Sequence, residues 1–340
     1  MFRRGRRRGL TSMKIVITDH RFPHVEQERQ AVEAEGWQLV EAQETREEAV
    51  ANLCRDADAV LSVRAPLSKR VIDEMGRCRV IVRYGIGVET VDLKAASGQG
   101  IMVANVPDYC VDEVSDHALT LLLMLNRQTI AATHLAAEST WSTAKMPPLH
   151  RLRGQTCGLF GAGKIGSLLA AKAGALGMRV LVYDPYLESE RAKWLGMEKV
   201  NFEDLLEMSD YISLHAPLTA ETNHVFGQSA FARMKATSFI VNTARGTLID
   251  EAGLLAAIDS GQIAGAGLDV LESETAVTPM RSALVQHRKV IVTAHTAWLS
   301  EEARATLQAK AIAQVISCLK GEKPYGLINR EIEKIRTIAD

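Results

Sequence analysis

Three side chains late in the chain carry complementary chemistry. Arg245 stands in Val241-Asn-Thr-Ala-Arg245-Gly246, Glu274 comes after Gly267-Leu-Asp-Val270, and His295 closes Val290-Ile-Val-Thr-Ala-His295. Each follows a short β-rich run, and an open parallel sheet places its ligand crevice beyond the carboxyl ends of its strands. An imidazole can give a proton to a carbonyl oxygen during hydride attack, and a neighbouring carboxylate would hold the ring and favour its protonated form. A guanidinium fork can grip the carboxylate and carbonyl of a 2-oxo acid. Singly, each residue has a plainer reading, as a surface ion pair or a structural histidine. What stands upstream makes the set harder to dismiss.

That upstream feature is Gly161-Ala-Gly163-Lys164-Ile165-Gly166, a Gly-x-Gly-x-x-Gly preceded by the apolar run Thr156–Phe160 and followed by helical spacing over Ile165–Ala175. Gly161 permits a tight turn, Gly163 lets a pyrophosphate approach the backbone, and Gly166 lets helix and strand pack closely. The next β-rich run ends in Asp184, where a carboxylate accepts from a ribose 2′-hydroxyl and repels a 2′-phosphate; no arginine adjoins it. The expected cofactor is therefore NAD rather than NADP.

The elements that must position these groups alternate. Strand-like runs fall at Lys14–Thr18, Ala59–Val63, Val80–Arg83 and Met102–Ala104, then at Thr156–Phe160, Arg179–Tyr183, Tyr211–Leu214, Phe239–Asn242, Gly267–Val270 and Val290–Thr293. Helical spacing fills Val25–Glu35, Asp112–Arg127, Ile165–Ala175, Phe202–Met208, Glu251–Ser260 and Ser300–Leu319. The expectation is an α/β protein of two doubly wound parallel-sheet domains, the second a Rossmann NAD-binding domain. The assigned boundaries are 13–110 with 300–340 for the substrate domain and 111–299 for the NAD-binding domain. The helix opening at Ser300 has no following strand in the second domain, so it is expected to return to the first.

Composition agrees with two cores and narrows the partners. Of 340 residues, 47% are apolar, enough to fill two domains. Forty basic against forty-one acidic side chains leave a net charge of −1, which supplies no general pull toward nucleic acid or an anionic membrane. The most sustained apolar stretch, Ala118 to Leu125, is far short of the roughly twenty residues a membrane span needs. The five cysteines, Cys54, Cys78, Cys110, Cys157 and Cys318, show neither disulfide nor zinc spacing and read as reduced, buried small hydrophobes. No metal is expected, and the reading is a soluble, cytoplasmic protein. Residues 1–12 hold five arginines and no acid, with no apolar segment after them. They fit a nucleic-acid arm, an organelle address or residues ahead of a start at Met13, and are treated as a disordered arm.

The chain resembles the D-isomer-specific 2-hydroxyacid dehydrogenase family from Met13 to about Asn329. The motifs are Val82-Arg-Tyr-Gly-Ile-Gly-Val88, Asn105-Val-Pro107, the glycine loop, His215-Ala-Pro217, Asn242-Thr-Ala-Arg-Gly246, Gly267-Leu-Asp269 and Ala294-His295. The resemblance implies that Arg245, Glu274 and His295 are the catalytic trio. It also implies that Arg83 and the Gly85, Ile86 and Gly87 backbone hold the substrate carboxylate. Thr243, Ala244, Asp269 and the backbone around His215, Ala216 and Pro217 would touch the cofactor beside Gly161, Gly163, Lys164, Ile165, Gly166 and Asp184. His295-Thr-Ala-Trp298-Leu-Ser-Glu301 is similar to the C-terminal-binding-protein branch, which includes NAD-binding corepressors and bacterial phosphoglycerate-dehydrogenase-like relatives, and makes Trp298 a candidate pocket residue. Three positions depart from the pattern. Thr275 and Ala294 stand where the family usually has proline, and Val114 where the branch has a hydroxyl near the cofactor phosphates.

The leading expectation is NAD-linked interconversion of a (R)-2-hydroxy acid and a 2-oxo acid; the alternative is an NAD(H)-sensing corepressor-like scaffold with slow or vestigial activity. Turnover with 2-oxo acids separates them. A homodimer is expected as well. Leu119, Leu121, Leu122, Leu123, Met124 and Leu125 spread around most of a helical turn, so one face packs at home and the opposite face is left for a partner.

Overall fold

The computed structural model describes residues 12–138 and 141–332. The expected disordered arm lies outside them except for Ser12, whose hydroxyl donates to Gly36 O at 3.2 Å. The chain divides into two compact units, one running to Tyr109 and resuming at Ser300, the other Cys110–Leu299.

The first unit holds five parallel strands, β1 (Lys14–Ile17), β2 (Gln38–Glu41), β3 (Ala59–Ser62), β4 (Val80–Arg83) and β5 (Met102–Ala104), in the order β2-β1-β3-β4-β5. Alternation sorts their side chains to two faces. Ile15, Ile17, Leu61 and Val82 meet Leu307, Ala311 and Val315 of the helix Glu301–Leu319, whereas Val16, Val60 and Ile81 meet Val50, Val71 and Ile72 from earlier helices. The helix Glu301–Leu319 thus belongs to this unit. Ser300 caps it by accepting from Ala303 N at 2.8 Å, with Glu301 and Glu302 in its first turn.

The second unit holds seven parallel strands, β6 (Thr156–Phe160), β7 (Arg179–Tyr183), β8 (Glu198–Lys199), β9 (Tyr211–Leu214), β10 (Phe239–Asn242), β11 (Gly265–Leu268) and β12 (Val290–Val292). Their order, β12-β11-β10-β9-β6-β7-β8, reverses direction between β6 and β9, the Rossmann arrangement with its crevice at that switch point. One face packs Leu159, Val180, Val182 and Val241 on the helices Val111–Arg127 and Lys164–Ala175. Close approach is needed at β11, where a Cβ on Gly267 would stand 3.1 Å from Leu121 Cβ. Leu121 is buried, and its truncation to alanine would cost about 2–5 kcal/mol.

The strand expected over Gly267–Val270 runs instead over Gly265–Leu268, because Phe239 pairs with Gly265 and Asn242 with Leu268. Glu274 therefore lies in a loop well past its strand rather than at the strand's end. The short edge strands β2 and β8 have no sustained apolar run to announce them, and neither is among the strand-like runs expected from the sequence. All five cysteines are buried, and burial pushes the Cys54 and Cys157 thiols up to about 12. Among the described residues no helix is long and apolar enough to cross a membrane.

Candidate active site

Because all seven strands of the second unit are parallel, their carboxyl ends share one edge, and the candidate residues of that unit follow those ends. Past β6, Gly161 takes φ +98°, open to glycine, and a Cβ there would stand 2.8 Å from Ala216 N. Gly166 sits under the loop: a Cβ would meet Gly161 O at 2.4 Å. Gly163 differs, since a Cβ there meets nothing within 4 Å and no side chain caps the helix Lys164–Ala175 that it opens. An open approach above an uncapped helix start, carrying the Lys164 and Ile165 amides, is the cradle a pyrophosphate needs.

The carboxylate of Asp184, just past β7, ties this cradle together. Oδ2 accepts from Ala162 N at 2.9 Å and Oδ1 from Tyr186 N at 2.9 Å. After β9, His215 rests beside the glycine loop with its Nε2 2.9 Å from Ser213 Oγ. Burial pushes its imidazole down to about 4, so the ring is neutral near neutral pH. Thr243, past β10, keeps a buried Oγ1 without a hydrogen-bond partner among the described residues. An orphaned hydroxyl, an open helix start and a carboxylate at the tip of β7 all fit a dinucleotide.

The reacting groups stand beyond the next strands. Asn242 shapes the turn that presents Arg245, donating from Nδ2 to Arg245 O at 2.8 Å and accepting from Ala244 N at 3.0 Å. His295 Nδ1 lies 2.8 Å from both carboxylate oxygens of Glu274. An ionised carboxylate only accepts, so Nδ1 carries the proton and Nε2 is left to exchange one with a ligand.

His295 is held in an unusual backbone, φ +54°. Non-glycine residues occupy that region only when their surroundings enforce it. Here the enforcing group is Asp269, 2% exposed, which spans the loop. Its backbone carbonyl accepts from His295 N at 2.8 Å, and its carboxylate accepts from Thr296 N and Ala297 N, each at 2.9 Å. Thr293 Oγ1 donates to the same carboxylate at 2.6 Å, which spends its proton, so His117 Nε2, 2.9 Å away, donates to Thr293. The resemblance assigned Asp269 to the cofactor; the structure also makes it the anchor of the catalytic loop. His117 and Thr293 were missed, and a histidine on an amphipathic helix offers no signal of such a partner.

In the first unit, Arg83 ends β4 and its Nη1 donates to Tyr84 O. Gly85 takes φ +139°, and Asn105 Nδ2 donates to Ile86 O at 2.6 Å, fixing the Gly85–Ile86–Gly87 turn. Two further supports were not anticipated. Asp19, buried after β1, accepts from Val63, Arg64 and Ala65 amides at 3.0, 2.7 and 3.2 Å. Tyr84 Oη donates to the buried Glu28 at 2.8 Å, and Gln308 Nε2 donates to the same carboxylate at 2.9 Å. Trp298, in the second unit, is half-buried.

The sequence profile described as "D-isomer specific 2-hydroxyacid dehydrogenase, NAD binding domain" matches residues 119–297. A glyoxylate reductase of Korarchaeum cryptofilum (strain OPF8) is 36% identical over 286 residues, 83% of this chain and 86% of its own. The D-3-phosphoglycerate dehydrogenase of Methanocaldococcus jannaschii is 35% identical over 320 residues, 93% of this chain, which spans only 59% of that longer protein. Among solved structures, D-lactate dehydrogenase from Aquifex aeolicus, complexed with NAD and lactic acid, superposes with a TM-score of 0.85 at 25% identity, covering 91% of this chain and 96% of its own. The chain belongs to the D-isomer-specific 2-hydroxyacid dehydrogenase family. It is an NAD-dependent oxidoreductase of that family, and nothing in these relatives supports the corepressor-like alternative.

Proposed function

We propose that the protein reduces a small 2-oxo acid to its (R)-2-hydroxy acid, and runs the reverse reaction, with proton transfer at His295. The observation that carries this reading is the Glu274 carboxylate seated on His295 Nδ1 with both oxygens at 2.8 Å. That arrangement leaves Nε2 free to act, on the carboxyl edge of a sheet built for a dinucleotide. Nicotinamide, when bound, exchanges a hydride with C2 of the substrate. His295 Nε2 delivers a proton to the oxygen on C2 in reduction and removes it in oxidation. Glu274 orients the ring and balances the imidazolium charge. Arg245 polarises the carbonyl. Trp298 limits the substituent on C2. Assaying NADH oxidation with glyoxylate, hydroxypyruvate, pyruvate and bulkier aromatic oxo acids tests the substrate class; no turnover with any of them overturns it.

The five buried cysteines support a reducing compartment, and we place the enzyme in the cytoplasm, without nucleic-acid or membrane partners. A homodimer completes the reading. The helix Thr129–Ala137 has no buried residue, Leu119, Leu123 and Met124 are only partly covered, and Trp141 is 90% exposed. An apolar surface of this kind marks an interface. Light scattering after size exclusion should give about twice 37.2 kDa at micromolar concentration, and a mass near one chain would refute the dimer.

A further inference from the structure

The catalytic glutamate sits in a loop with no ladder of its own. Between β11 and the helix Pro279–Gln286, the residues around Glu274 form neither strand nor helix. Thr278 caps that helix by accepting from Arg281 N at 3.0 Å, and the Arg281 side chain turns back over the loop. Its Nη1 donates to Glu274 O at 3.0 Å and to Ala276 O at 3.3 Å. These two carbonyls bracket Thr275, so one guanidinium nitrogen clasps the main chain on both sides of the residue after Glu274. Ser273 Oγ adds only a long bond to Ala276 O, at 3.4 Å. Thr275 is exposed, and among the described residues its amide makes no hydrogen bond. Upstream the loop is anchored by Glu272, whose amide donates to Glu251 Oε1 at 2.7 Å and whose carboxylate accepts from Glu251 N at 3.1 Å; from Glu274 onward it is held chiefly by Arg281, a half-buried side chain seven residues further on.

We propose that Arg281 is a positioning residue for proton transfer: by clasping the Glu274 and Ala276 carbonyls, it keeps the Glu274 carboxylate seated on His295 Nδ1. This rests on the reading of Glu274 and His295 as the proton-transferring pair. Arg281 touches neither reacting atom. Its effect passes through the backbone of Glu274, and small displacements of such groups are costly because proton transfer depends on alignment. A carboxylate that drifts from Nδ1 stabilises the imidazolium less, so the ring would give up its proton at lower pH.

The test is Arg281→Gln, alone and with Thr275→Pro. Proline at 275 removes no used donor and restricts the chain next to Glu274, replacing the clasp with covalent stiffness. Arg281→Gln should lower kcat for 2-oxo acid reduction about tenfold and move the alkaline limb of the reduction profile to lower pH, with NADH affinity within about twofold of the parent. Adding Thr275→Pro should recover most of the lost kcat and return the limb. Parental kcat and an unmoved limb in Arg281→Gln, beside an impaired Glu274→Gln, overturn this inference alone. Failure of Thr275→Pro to rescue overturns the loop-clasp explanation, as does a loss accompanied by lost NADH binding. Parental rates in both Glu274→Gln and His295→Gln would instead defeat the underlying reading of the pair.

Discussion

His215 and His295 stand on one edge of one sheet, each soon after a parallel strand, yet their surroundings separate them chemically. His215 follows β9 and meets a serine hydroxyl, with no carboxylate among the described residues to balance a charge, and burial pushes it down to about 4. His295 follows β12 and meets both oxygens of Glu274. A ring without a counter-charge stays neutral and serves as packing and a hydrogen-bond group; a ring with one can cycle between protonated and neutral forms. Position on the crevice edge is thus common to both, and the partner decides which carries the proton.

The most severe way to break this comparison is to remove each ring in turn. His295→Gln should reduce kcat by about two orders of magnitude or more, with NADH binding retained in fluorescence titration. His215→Gln should leave kcat within a few-fold of the parent. Comparable losses at the two positions would erase the distinction.

Removing the partner instead of the ring should give a smaller loss. Glu274→Gln keeps the size of the side chain and a possible bond to Nδ1 but removes the counter-charge, and a drop of about tenfold in kcat is expected. Oxidation needs the neutral ring as base, so loss of the carboxylate should move the acid limb of the oxidation profile to lower pH. An unmoved limb would mean that Glu274 orients the ring without influencing its charge.

How much of this was legible in the sequence differs between the two sides of the edge. The cradle side is made by backbone, and backbone demands show as residue types: glycine at 161 for its φ, glycine at 166 for contact with Gly161 O, aspartate at the tip of β7. The catalytic side was legible only as three charged residues after strands. Its geometry depends on long-range bonds from side chain to backbone, such as Asp269 to Ala297 N and Arg281 to Glu274 O, for which no local spacing exists. The strand preceding Glu274 was misplaced by two residues for the same reason, because register across β10 and β11 is a pairing property that a single run cannot reveal.

The cradle side can be altered on its own. Asp184→Ala removes a carboxylate that would repel a 2′-phosphate and accept from a ribose hydroxyl, so discrimination against NADPH should fall by about tenfold, roughly 1.4 kcal/mol. kcat with saturating NADH should change little, since the His295 side is untouched. Equal efficiency with NADH and NADPH in the unmutated enzyme would count against the role given to Asp184.

The smallest expected effect is on stability. A free histidine titrates near 6.5, whereas folded His215 is held down to about 4, so between those values the unfolded chain binds more protons than the folded one. Stability from this source is intact above pH 6.5 and falls as the pH drops toward 4, the direction required when the charged form is disfavoured by folding. At pH 5 the loss would be at most about 2 kcal/mol, less to the extent that water reaches the partly exposed ring. Other groups titrate over the same range, so the measurement is a difference: urea unfolding at pH 7 and pH 5 for the parent and for His215→Gln. The variant should lose less stability on acidification than the parent. Equal losses would mean that the folded ring accepts a proton as readily as the unfolded one, and the contrast between the two histidines would then have to rest on Glu274 alone.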